Sequence, residues 1–153
     1  MKKIKILLIG LFLVLCLTGC GEKKLLCTDS EKKNGLEFKT EYLILFKKDK
    51  INTAKVTFTV DVSDEDYKKE WSTFVNEIER SLSIADLKGK TGFKVNSSEN
   101  KNKGKYQATI NIDLTKAERS DASKLYLGYS LDDDYGTYAE VKEDLESFNF
   151  TCK

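Results

Sequence analysis

The chain has 153 residues, a formal net charge of +1, 40% hydrophobic and 33% charged residues, which suits one domain and leaves no electrostatic footprint for nucleic acid. Histidine and proline are both absent. Without histidine there is no Ser-His or Cys-His nucleophilic pair, and the commonest transition-metal ligand is missing. We expect no cofactor and no metal.

From Met1, the basic residues Lys2, Lys3 and Lys5 precede an apolar run from Ile6 to Leu17, closed by Thr18, Gly19 and Cys20. This is the layout of a secretory signal, with an apolar core too short for a membrane span. Leu17-Thr18-Gly19-Cys20 resembles the lipobox of bacterial lipoproteins, in which the cysteine is diacylated and the signal is cut just before it. Residues 1–19 are therefore expected to leave as a signal peptide. Cys20 is expected to anchor the chain to the outer, extracytoplasmic side of the cell membrane, because two acyl chains hold where one binds only marginally. The mature chain then keeps 134 of the 153 residues, and loss of three lysines takes the charge from +1 to −2. Residues 20–26 read as anchor and short tether, residues 27–153 as one domain.

With Cys20 acylated, Cys27 and Cys152 have only each other, and export permits a disulfide between them. Closing so long a loop contributes up to about 5 kcal/mol on the chain-entropy model.

Leu36, Phe38, Tyr42, Ile44 and Phe46 fall on alternate positions, a polar turn runs from Lys47 to Asn52, and Val56, Phe58, Val60 and Val62 resume the alternation. This predicts a β-hairpin with one buried face. Leu43 and Leu45 point to the other face, marking a bulge, a buried second face or an exposed apolar contact. The period then changes: Tyr67, Trp71, Phe74, Val75, Ile78 and Leu82 make a helical stripe, with Ser63 and Asp66 in N-cap and N3 places.

A second hairpin is predicted from Phe93 and Val95, a loop from Ser97 to Lys105, and the alternating Tyr106, Ala108, Ile110, Ile112 and Leu114. Residues 57–63 match residues 109–115 at an offset of 52 positions, and Asp66 then matches Glu118. A weak helix is expected from Thr115 towards Leu127, and a third helix behind a Thr137/Glu140 capping box, with Val141, Leu145 and Phe148 on its stripe. The pattern predicts an α+β fold: two ββα units forming one antiparallel sheet with helices on one face, a single two-layer domain.

The Leu17-Thr18-Gly19-Cys20-Gly21 motif, the strand-to-cap stretch Ala108 to Thr115 and the ending Thr137 to Phe150 together resemble the YehR-like small lipoproteins, bacterial surface proteins without an assigned activity. The resemblance spans most of the mature chain and implies a small lipid-anchored surface domain, with no catalytic residues to carry over. The cysteine pair and the tyrosine-rich Leu125 to Tyr138 segment lie outside it.

Three groups bear on function. Tyr126, Tyr129, Tyr135 and Tyr138 surround Asp132, Asp133 and Asp134, and rings beside carboxylates suit a ligand surface at Tyr129, Asp132, Asp134, Tyr135 and Tyr138. The same rings equally suit the edge of a core. The three aspartates with Glu143 approach a calcium loop, but the fifth and sixth positions are Gly136 and Thr137 rather than an oxygen ligand and glycine. Finally, the solvent face of the sheet is expected to present Lys55, Thr57, Thr59, Asp61, Gln107, Thr109, Asn111 and Asp113. There Asp61 and Asp113 would be the paired carboxylates that acid–base chemistry demands. The reading is a monomeric, non-catalytic, lipid-anchored envelope module that binds a membrane-proximal protein or wall component. The alternative is a small-ligand or calcium receptor.

Overall fold

Period-two alternation of apolar side chains commits most of this chain to strands. A computed structural model describes residues 22–125 and 136–153. The strands are β1 (Lys23–Lys33), β2 (Leu36–Lys47), β3 (Lys50–Val62), β4 (Phe93–Asn100), β5 (Lys105–Asp113) and β6 (Thr151–Cys152), in one antiparallel sheet of order β4-β5-β3-β2-β1-β6. Among the described residues there are five helices: α1 (Glu65–Lys69), α2 (Trp71–Ser81), α3 (Ile84–Leu87), α4 (Arg119–Ala122) and α5 (Tyr138–Ser147). None is long and apolar enough to cross a membrane.

One core joins the layers. Tyr42, Ile44, Phe46, Val56, Val60, Tyr106, Ile110 and Ile112 line the inner sheet face, and Trp71, Phe74, Val75, Ile78, Ile84, Leu87, Val141 and Leu145 cover it from the helices. The expected single two-layer α+β domain is what the chain builds. Each large apolar side chain taken from water here contributes about 1.5–3 kcal/mol.

The two hairpin units meet at β3 and β5, where Thr57 pairs with Thr109. These two residues are also equivalents at the 52-position offset. A pseudo-twofold axis perpendicular to the sheet therefore passes through this pair, and the β4-β5-β3-β2 order is symmetric about it. The units diverge in their helices. The first continues into α1 and α2, whereas in the second the Asp113 carboxylate accepts the Thr115 backbone N–H at 3.1 Å and the Asp113 carbonyl accepts that of Ala117 at 2.9 Å. This local turn competes with a helix at Thr115, so α4 starts only at Arg119, with Glu118 in the cap position.

Several boundaries differ from the sequence reading. The folded domain starts before residue 27, since β1 begins at Lys23 and buries Leu25 and Cys27. The long helix is two, broken at Glu70, and its N-cap is Asp64, whose carboxylate accepts the Asp66 N–H at 2.8 Å. Ser63 is drawn away, its hydroxyl donating to the Gly35 carbonyl at 3.0 Å. Of the expected Ser97–Lys105 loop, Ser97 to Asn100 belong to β4 and Lys105 to β5, leaving a turn at Lys101 to Gly104. Gly104 sits at φ +59°, and a β-carbon there would collide with the Val62 carbonyl, so the joint between the hairpins requires glycine.

The expected Thr137/Glu140 capping box is present: the Glu140 carboxylate accepts the Thr137 N–H at 2.7 Å, and the Thr137 hydroxyl accepts the Glu140 N–H at 3.4 Å. From this start α5 returns the chain to β6, which pairs with β1. Leu26 and Lys153 exchange both backbone hydrogen bonds, at 3.1 and 2.8 Å. The adjacent Cys27–Cys152 pair is thus the close, non-hydrogen-bonded type, with Cα atoms 4.1 Å apart and a disulfide joining them across 125 positions.

A second tie is Asp121. Its buried carboxylate accepts from Lys124 at 3.0 Å and lies 3.3 Å from Lys90, linking α4 to the approach to β4. The Lys124 hydrogen bond, then the Lys90 contacts, outweigh burial and hold its pKa below the ordinary carboxylate value.

Two predictions follow from these ties. Cys27→Ser with Cys152→Ser, or reduction of the wild type, lowers stability by about 2–5 kcal/mol, read as a melting-temperature drop of about 5–15 °C with the strand signal retained below the transition. Because the Asp121 pKa is depressed in the fold, its stabilisation is present above the unfolded carboxylate value near 3.8 and is lost as pH falls through the folded value. Asp121→Asn should lower the melting temperature at pH 7 and flatten its decline in acid. An unchanged pH profile would remove this role.

Candidate binding face and the acidic depression

The sheet turns its second face away from the helices. Along β3 and β5 the buried Ala54, Val56, Val60, Tyr106, Ala108 and Ile110 alternate with half-buried or exposed Lys55, Thr57, Thr59, Asp61, Gln107, Thr109, Asn111 and Asp113, as the sequence predicts. The structure separates the two carboxylates singled out for acid–base chemistry. Asp113 pairs with Thr53 and Asp61 with Lys105, at opposite ends of the ladder, and eight residues of strand put them about 26 Å apart. Each has a cation instead: Asp61 with Lys105 at 2.8 Å, Asp113 with Lys116 at 2.9 Å. Hydrogen bonds from Thr115 and then Lys116 hold the Asp113 pKa down. The hydrogen bond and charge of Asp61 raise that of Lys105.

Leu43 and Leu45 lie on this open face, half-buried. The bulge is also there, but on the partner strand: Leu45 pairs with Thr53 and Phe46 with Ile51, leaving Asn52 as the extra residue. The displaced Asn52 carbonyl accepts the Leu114 N–H at 3.0 Å. Beside the leucines runs a shallow groove of about 570 Å³, lined by Leu43, Leu45, Thr53, Lys55, Phe93, Lys94, Asn111, Asp113 and Lys116. Its floor is apolar and its rim mostly cationic. Gly92 forms one wall at φ +83°, where a β-carbon would stand 2.6 Å from the Ala117 nitrogen.

A second depression, of about 400 Å³, lies between α2 and β4 and is lined by Ser72, Asn76, Glu79, Ser97, Ser98, Glu99 and Tyr106. The Trp71 indole N–H donates to Glu99 at 2.9 Å and the Tyr106 hydroxyl to Glu79 at 3.2 Å. Burial, then the charge of Glu79, raises the Tyr106 pKa, so the phenol stays protonated and donating. Sequence reasoning missed Glu79 and Glu99. The available signal was indirect: Trp71 and Tyr106 on core stripes each need a buried polar partner, but their spacing does not say which.

Of the tyrosine and aspartate group, Tyr129, Asp132, Asp134 and Tyr135, with Tyr126 and Asp133, lie outside the described residues. So does Cys20. Tyr138 packs edge-on to Phe46, ring centroids 5.3 Å apart, with the Lys23 ammonium 5.6 Å from its ring centre. Its backbone N–H also serves the Asp49 carboxylate. That is a position at the edge of the core. Glu143 is exposed on α5, and no group of three or more metal-ligating side chains occurs among the described residues.

No protein-family model matches the chain, and a search of curated proteins finds no match. Two solved structures share the fold. The NMR structure of the Escherichia coli YehR protein superposes with a TM-score of 0.56 at 17% identity, over 86% of this chain and 92% of that one. The NMR structure of a protein from Streptococcus pneumoniae TIGR4 gives 0.51 at 18% identity, over 85% and 83%. The likeness is one of fold, and in fold the chain is YehR-like.

Proposed function

We propose that this protein is a non-catalytic, lipid-anchored module on the outer side of the cell membrane, which holds an extended segment of a membrane-proximal envelope protein in the groove on its open sheet face. The observation that carries the proposal is the proximity of that groove to the start of β1. Lys24 pairs with Leu45 and Leu26 with Leu43, and Lys23 stands only three positions after the lipobox cysteine. An anchored Cys20 therefore keeps the groove near the bilayer. The groove's leucines and its lysines 55, 94 and 116 complement a partner segment that alternates apolar and acidic side chains.

A photo-crosslinking residue at Leu43, in intact cells, should give one discrete protein adduct, absent when the same residue replaces Glu143 on α5. Lys55→Glu with Lys94→Glu should reduce that adduct at least tenfold. Equal, diffuse labelling from both positions would sink the proposal. Mass spectrometry tests the anchor: acyl mass on Cys20 in the mature protein, and an unprocessed precursor for Cys20→Ala.

The acidic depression favours a second reading, a receptor for a small ligand rich in amine or hydroxyl donors. Two carboxylates fixed by Trp71 and Tyr106 accept hydrogen bonds in the sense such a ligand supplies. Thermal shift against amino sugars and calcium distinguishes it. A ligand at a hundredfold its Kd stabilises by about 2.7 kcal/mol, and Glu79→Gln should abolish the shift. No shift with any of them removes this reading.

A further inference from the structure

We infer that the β1-start end of the sheet is a basic foot that docks on an anionic phospholipid surface, fixing the orientation of the domain; this rests on the lipid anchor proposed above. The register brings the start of β1 beside the β2–β3 turn, with Lys23 opposite Phe46 and Lys24 opposite Leu45. Residues 22–24 and 47–50 thereby gather Lys23, Lys24, Lys47, Lys48 and Lys50 against the acids Glu22 and Asp49. Asp49 is engaged by Lys23 at 2.9 Å, and Lys47 and Lys48 precede it on the same turn. Lys48 and Asp49 adopt φ +52° and +60°, so the tight two-residue turn carries exposed lysines at the ends of β2 and β3.

The far end has no such excess. Over residues 30–37, 61–69 and 99–105 seven acids stand against seven lysines, and Asp61, Glu65 and Asp66 are bridged by Lys105, Lys68 and Lys69. The lysine excess of the foot, five against two acids, stands out against a mature chain whose net charge is −2 by the subtraction given above. Charge complementarity thus selects which end meets an anionic surface.

Tether length selects the same end. Gly21 and Glu22 are the only residues between Cys20 and β1, and a fully extended link of that size reaches about 10 Å. This is about one Debye length at physiological salt, so an acylated Cys20 holds the foot inside the range where headgroup charge acts. Lysines near such a surface each favour it about fivefold, and acyl chains with a polybasic patch are a stronger anchor than acyl chains alone.

The test uses the processed, acylated protein reconstituted in vesicles of phosphatidylglycerol with phosphatidylcholine, or of phosphatidylcholine alone. A membrane-impermeant amine acylating reagent reads each lysine by mass spectrometry. We expect Lys24, Lys47, Lys48 and Lys50 to react at least threefold more slowly on the anionic vesicles, with Lys33 and Lys101 unchanged and the difference erased by 0.5–1 M salt, about the range where screening shortens to a few ångströms. The variant Lys47→Gln with Lys48→Gln and Lys50→Gln should remain on the vesicles yet lose the protection of Lys24. Vesicle-bound protein whose lysines react alike on both lipids overturns the foot while leaving the anchor standing. Protein carrying no acyl mass and recovered off the vesicles overturns the anchor and the foot with it.

Discussion

The pairing of β3 with β5 is the interaction on which the rest of this fold depends. Each hairpin alone would expose a broad apolar face and an unpaired edge, and a lone hairpin is marginal in water. Joined at the ladder centred on Thr57 and Thr109, the two edges vanish and Val56, Val60, Tyr106 and Ile110 form one continuous floor. Only a floor of this width has room for Trp71, Phe74 and Ile78 from one helix and Val141 and Leu145 from another. The same pairing also creates the open face, since a sheet covered on one side must present its alternate side chains on the other.

Much of this was legible in the sequence because it follows from local rules. Alternation over Leu36–Phe46, Val56–Val62 and Tyr106–Leu114 identifies the central strands, and the Thr137/Glu140 box marks a helix start from two side chains alone. What was not legible is non-local. β1 shows only Leu25 and Cys27 as buried alternating residues among lysines and acids, too faint a pattern to read until its partners β2 and β6 are known. Ser63 and Asp64 are both good caps, and the choice falls to Asp64 because a distant carbonyl, that of Gly35, claims Ser63.

The candidate site shows the same division. The polar residues of the open face were predictable one by one, but the grouping of Asp61 with Asp113 was not sound. The 52-position offset makes these two residues equivalents, yet in an antiparallel ladder equivalents diverge symmetrically from the axis. Only the pair on the axis, Thr57 and Thr109, meets its own counterpart. The groove lies instead where the first unit's leucines, beside the Asn52 bulge, approach the Gly92 entry of the second. It arises from what the two units do not share.

The disulfide between the first and last strands has a mechanical meaning as well. In a domain held by its N-terminus, load enters at Lys23, the first residue of the β1–β2 ladder, where it pairs with Phe46. Only the four residues Lys23 to Leu26 carry it alone before it reaches Cys27. From there the force divides between β1 and, through Cys152, the C-terminal strand and α5. A pull on one end of the chain is thereby shared by both ends of it.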